Sequence, residues 1–151
     1  MPSSEQLAQF ALMVSLAKAQ HAKAYVTKVA AETKSMKFKE YQVVKDCLDQ
    51  INDGVDQLRQ SIKEIQQISR DGEENFMWHT SNVQTWVSTA LTDAMTCLDG
   101  FSSRAMGGKV RLVRATIKGK LLNVVQVTSN ALALFNRFAA RHKARGAKVK
   151  P

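Results

Sequence analysis

The sequence predicts an all-α protein, an up-down-up-down antiparallel four-helix bundle. Three observations predict it. Apolar residues recur in steps of three and four along four long segments. The 151 residues include only 2 prolines and 7 glycines, while alanine, lysine, glutamine and leucine abound. No stretch shows the two-residue alternation of a half-buried strand, and short loops make successive helices antiparallel neighbours. With 44% hydrophobic and 23% charged residues, one domain with a real core is expected over residues 1–141. Residues 142–151 read as a frayed or disordered basic tail.

The first helix is expected from about Ser4 to Ala31. Ser3 and Gln6 fit a capping box at its start, and Leu7, Phe10, Val14, Ala17, His21, Ala24 and Lys28 trace one stripe. The second, from about Phe38 to Ile68, has the strongest pattern. Tyr41, Val44, Leu48, Ile51, Val55, Leu58, Ile62 and Ile65 form a heptad seam that Gly54 weakens without breaking. Residues 69–81 read as a loop with its turn at Asp71-Gly72. The third helix, from about Asn82 to Phe101, presents Val83, Trp86, Val87, Ala90, Leu91, Ala94, Leu98 and Phe101. After a connector at 102–109, the fourth runs from about Val110 to Arg141. Its seam is Val110, Val113, Ile117, Leu121, Val124, Thr128, Ala131, Phe135 and Phe138.

Composition narrows the function classes. No apolar run is long enough to span a bilayer, and the opening MPSSEQ is not a secretory signal. That leaves an intracellular protein or a mature or trimmed form. The net charge of +9 permits a polyanionic partner, and its excess is concentrated in the C-terminal third, from Lys109 to Lys150. Arg111, Arg114 and Lys118 form a basic stripe that, with the tail, suits an acidic polymer; a solvated face is the alternative. MGGK (106–109) lacks the spacing and the Ser or Thr of a phosphate loop. No supported Ser/His/Asp or Cys/His arrangement occurs, and no CxxC or His/Cys cluster offers a metal site, so neither catalysis nor a cofactor is expected.

Two acidic sets stand out. Asp46, Asp49, Asp53 and Asp56 share one face of the second helix, either as a docking strip for a basic partner or as a solvated face. They are not an EF-hand, because Ile51 and Gln60 occupy ligand positions. Thr92, Asp93, Thr96 and Asp99 lie beside the apolar face of the third helix, for partner contact or for local backbone bonds. His79 is expected as an exposed loop residue, His21 on the first seam and His142 in the tail.

The two cysteines, Cys47 and Cys97, fall on antiparallel neighbours. Counted from the shared loop, their heights differ by roughly 6 Å, about one turn. Geometry therefore leaves a bridge and two buried reduced thiols both open.

The stretch Trp86, Ala90-Leu91-Thr92 and Thr96-Cys97-Leu98-Asp99-Gly100-Phe101 resembles the plant invertase/pectin methylesterase inhibitor domain, and is most similar to the pectin methylesterase inhibitors. Asp53-Gly54-Val55-Asp56-Gln57-Leu58 and Thr128-Ser129-Asn130-Ala131-Leu132-Ala133 extend the resemblance over most of residues 4–138. It implies a four-helix bundle with one inter-helix disulfide, Cys47–Cys97, and secretion to the plant cell wall or apoplast. It also implies a non-catalytic protein that binds pectin methylesterase one to one and covers its substrate cleft. Candidate contacts are then Asp46, Asp49, Asp53, Asp56, Thr92, Asp93, Thr96 and Asp99, on a monomer with no nucleic-acid or membrane partner, and the acidic polymer that suits the basic stripe is pectin. The family's opening helical hairpin, with its own cysteine pair, has no counterpart here, and the basic tail extends past the family's usual end. Related functions of the same fold are invertase inhibition, whose Pro-Lys-Phe element is absent, and the pro-region of a pectin methylesterase. The reading from another class is an intracellular basic bundle that binds nucleic acid or anionic surfaces.

Overall fold

The computed structural model describes residues 1–36, 39–101 and 111–149. Four helices follow one another: α1 (Ser4–Ser35), α2 (Tyr41–Asp71), α3 (Phe76–Gly100) and α4 (Arg111–Val149). Each packs against its neighbours in sequence and α4 closes on α1, whereas α1 and α3, like α2 and α4, face each other only across the centre. Cross-helix bonds fix the antiparallel register. Ser69 donates to Glu5 at the top of α1–α2, Arg141 to Ser4 between α4 and α1, and Gln84 to Asn136 between α3 and α4. The chain is thus an up-down-up-down bundle. Among the described residues no helix is long and apolar enough to cross a membrane.

The capping box forms as the sequence suggests: Gln6 N donates to Ser3 Oγ at 3.1 Å, and Ser3 N to Gln6 Oε1 at 2.9 Å. Between α2 and α3 the chain reverses at Gly72, whose φ of 68° is a conformation that side-chain-bearing residues avoid. The α2 seam is as expected, with Val44, Ile51, Val55, Leu58 and Ile65 buried and Tyr41, Leu48 and Ile62 half-buried beside them. On α4, Ile117, Leu121, Val124, Thr128, Ala131, Phe135 and Phe138 are all buried.

The α1 stripe is a correction. Its buried positions are Ala8, Leu12, Ser15, Ala19, Ala22, Val26, Val29, Ala30 and Thr33. Leu7 and Phe10, the large members of the expected stripe, are 42% and 66% exposed, and Ala17, His21, Ala24 and Lys28 also face solvent. The true seam keeps heptad spacing but is filled largely by small side chains, which let α1 approach its neighbours closely. The largest apolar residues are therefore a poor guide to its facing.

Helix boundaries differ as well. α2 continues to Asp71 and α3 begins at Phe76, so most of the expected 69–81 loop is helical. Phe76 anchors this extra turn: it packs edge-on against Phe138 at 6.2 Å and stacks on His142 at 3.9 Å. α4 runs through the start of the basic C-terminal segment to Val149, with His142 Nε2 2.7 Å from Glu73 Oε1. The expected connector at 102–109, Val110 and Lys150 lie outside the described residues.

Candidate partner-docking face on the second and third helices

Three devices hold α2 and α3 together. The Cys47–Cys97 disulfide joins them, with Cα atoms 4.5 Å apart and both residues buried. Two turns further along, Gly54 is buried against α3: a Cβ built there would make ordinary contacts, 3.7 Å from the Ala90 carbonyl oxygen and 3.7 Å from Asp93 Cβ. At the far end a buried polar network ties them. His79 Nδ1 lies 2.6 Å from Glu64 Oε1, its Nε2 lies 2.8 Å from Asp71 Oδ2, and Asn82 donates to Glu64 at 2.9 Å. His79 is only 7% exposed, so its expected place in a solvated loop is corrected. The hydrogen bond to Glu64 raises its pKa above 6.5 most strongly; burial opposes this and Asp71 adds to it.

With the helices in this register, the two acidic sets meet along one seam. Asp46, Asp49, Asp53 and Asp56 are all exposed. Asp46 accepts from Gln42 at 2.8 Å, Asp49 pairs with Lys45 at 3.3 Å, Asp53 accepts from Gln57 at 3.4 Å, and Asp56 pairs with Arg59 at 3.8 Å. Every one of these partners lies on α2 itself, and exposed pairs of this kind contribute well under 1 kcal/mol. They leave the strip free to exchange partners. Thr96 lines a shallow groove with Val43, Asp46, Asp49 and Gln50, so residues from both sets border one surface. Thr92 is exposed and donates to the Ser88 carbonyl at 3.0 Å, and Asp99 is exposed near the end of α3. α3 contains no lysine or arginine.

Asp93 behaves differently from the other three residues of its set. It is buried, 8% exposed, and hydrogen-bonded to Asp53 across the seam. Burial first, then that hydrogen bond and the Asp53 charge, push its carboxyl up to about 7. Asp93 Oδ2 has no hydrogen-bond partner. Asp93 also forms the floor of a second shallow groove with Gln84, Thr85, Ser88, Thr89 and Thr92. Neither this pair nor the His79 network is visible in the sequence pattern, because both depend on side chains brought together from separate helices. The arrangement holds no catalytic constellation, and among the described residues no three metal-ligating side chains converge. It offers an extended, acidic, lysine-poor face on a rigid two-helix platform.

Comparison with known proteins places this face in context. The sequence profile of the family described as plant invertase/pectin methylesterase inhibitor matches residues 1–134. Pectinesterase inhibitor 9 of Arabidopsis thaliana is 51% identical over 92% of this chain and 67% of its own length. The 21 kDa protein of Daucus carota is 40% identical over 92% of this chain and 70% of its length. Pectinesterase inhibitor 11 of Arabidopsis thaliana is 44% identical over 93% and 68%. The crystal structure of a pectin methylesterase inhibitor from Arabidopsis thaliana superposes with a TM-score of 0.68, covering 90% of this chain and 79% of the other at 16% identity, a likeness of fold.

Proposed function

The chain belongs to the plant invertase/pectin methylesterase inhibitor family, and from that premise we propose that it inhibits pectin methylesterase. It acts as a protein inhibitor, not an enzyme. It binds the esterase one to one, occludes the substrate cleft and so regulates pectin de-esterification in the plant cell wall, outside the cell. The observation that carries this reading is the 51% identity to a pectinesterase inhibitor across 92% of the chain.

The docking surface is the α2–α3 face. Its exposed carboxylates Asp46, Asp49, Asp53 and Asp56 favour approach to a basic enzyme surface, and Thr92, Thr96 and Asp99 supply short polar contacts between them. The disulfide and the Gly54 contact hold the two helices rigid, which lowers the ordering cost of association.

The test is methanol release by a plant pectin methylesterase at increasing protein, with an invertase assayed beside it. Stoichiometric loss of esterase activity and unchanged invertase activity are expected. Replacing Asp49 and Thr96 together by lysine should weaken inhibition at least about tenfold, as expected when charges and bulk enter an interface core. Full esterase activity at excess wild-type protein refutes the reading.

A further inference from the structure

Charge divides the bundle into two halves. α2 and α3 carry the acidic strip, whereas every charged side chain after Asp99 is basic and α1 adds Lys18, Lys23, Lys28 and Lys34. Among the described residues, no salt bridge reaches any lysine or arginine of α1 or α4. The α1–α4 half is thus an uncompensated basic surface on the side of the bundle away from the α2–α3 seam.

The register of the two helices shows which basic residues stand together. Lys120 Nζ lies 2.9 Å from His21 Nε2 and 5.2 Å from the Tyr25 ring centre, and Arg141 donates to Ser4. Lys120 and Arg141 are three heptads apart, so one flank of α4 faces α1 along this length, about 31 Å. On α1, Lys18 lies one heptad before Tyr25 and shares the facing flank. Between the basic ends on α4, Asn123 and Asn130 are exposed one heptad apart, with Arg137 one heptad further on, while Val127 and Leu134, in line with Lys120 and Arg141, are half-buried apolar residues. Glu32, one heptad beyond Tyr25, is the carboxylate on this flank and lies toward the opposite end from Arg141. Arg114 and Lys118 belong to the other flank, the one from which Asn136 meets Gln84 of α3.

We infer that the basic α1–α4 face binds de-esterified pectin, a linear polyuronate. A polymer with one carboxylate on each unesterified sugar matches a row of separated cations, and its hydroxyls match the asparagine amides between them. Binding releases the counterions condensed on the polymer, so it is driven by salt-dependent entropy. Methyl-esterified pectin carries no such charge and is not held. The polymer is the product of the enzyme named in the proposed function. The two faces point apart, so one molecule engages enzyme and product polymer together and is retained where the enzyme works.

The experiment is affinity electrophoresis of the purified, disulfide-bonded chain in gels containing polygalacturonate, fully methyl-esterified pectin or duplex DNA. Polygalacturonate alone should retard it, and added NaCl should abolish the retardation. The triple variant Lys18→Gln, Lys120→Gln, Arg141→Gln should bind roughly 10–100-fold more weakly at about 0.1 M salt, with a log–log salt slope smaller by about 2. Its melting temperature should fall by no more than a few degrees, as expected for lost exposed contacts, and its action on the esterase should not change, so loss of polymer binding is separable from failure of the inhibitor reading. Arg111→Gln, Arg114→Gln, Lys118→Gln, on the other flank, should bind as wild type. The inference is overturned if polygalacturonate gives no retardation, if the methyl-esterified polymer or DNA retards the chain equally, or if the first triple variant binds unchanged.

Discussion

Replacing Asp93 by asparagine isolates the most unusual ionisation in the bundle. The native carboxyl is pushed up from 3.8 to about 7, first by burial and then by its hydrogen bond to Asp53 and the Asp53 charge. Each tenfold weakening of an acid corresponds to about 1.4 kcal/mol, so the ceiling on the effect is roughly 4 kcal/mol. The sign follows from proton counting. Between pH 3.8 and about 7 the folded chain holds this proton and the unfolded chain has lost it, so stability falls as pH rises. Below that window both forms are neutral; above it both are ionised and the full penalty remains. Asparagine keeps the size and can donate to Asp53, but it cannot ionise. Wild type and Asp93→Asn should therefore be equally stable within about 1 kcal/mol near pH 4, and the variant should lead by about 2–4 kcal/mol at pH 8. For a domain of this size that is a lead of roughly 4–16 °C in Tm. The assay is thermal or urea unfolding by circular dichroism at unit pH steps from 4 to 8, with the disulfide intact. The raised pKa of His79 acts only above its ordinary 6.5, so the slope below pH 6 belongs to Asp93. A constant offset between the two proteins across the whole range, or a variant less stable at pH 8, refutes a buried Asp93 that holds its proton.

Other perturbations test the remaining supports. Removing both cysteines, Cys47→Ala with Cys97→Ala, opens a loop with a sequence separation of 50 and should lower stability by about 4 kcal/mol at most, read as a fall in the urea midpoint. Gly54→Ala should stabilise α2 by about 0.5–1 kcal/mol, because the added methyl meets only ordinary contacts at 3.7 Å; destabilisation by more than about 1 kcal/mol in urea unfolding means the helices are closer than they stand here. His79→Gln should cost about 1–3 kcal/mol, more at pH 6 than at pH 9, because the charged imidazole is lost only where it existed. Equal losses at the two pH values count against a protonated His79 between Glu64 and Asp71.

The fold is legible in the sequence where large aliphatic residues mark the seam. Val44, Ile51, Val55, Leu58 and Ile65 announce the α2 core by size and spacing alone. The same rule misfaces α1, because its core includes Ala8, Ser15, Ala19 and Ala22, residues that periodicity weights lightly, while Leu7 and Phe10 face outward. It misplaces the start of α3 for a related reason: His79 and Thr80 are buried polar residues inside what reads as a loop. The buried pairs, by contrast, become legible once the disulfide is granted. Seven residues on from Cys47 and seven back from Cys97 reach Gly54 and Ala90, where a Cβ on Gly54 would come 3.7 Å from the Ala90 carbonyl oxygen. Six on and four back reach Asp53 and Asp93, the hydrogen-bonded carboxyl pair. Seventeen on and eighteen back reach Glu64 and His79. One covalent contact between antiparallel helices of fixed rise determines all three pairings. The signal for the site is thus a register that the cysteine pair specifies, rather than a motif, and the charges it brings together follow from counting outward from that bond.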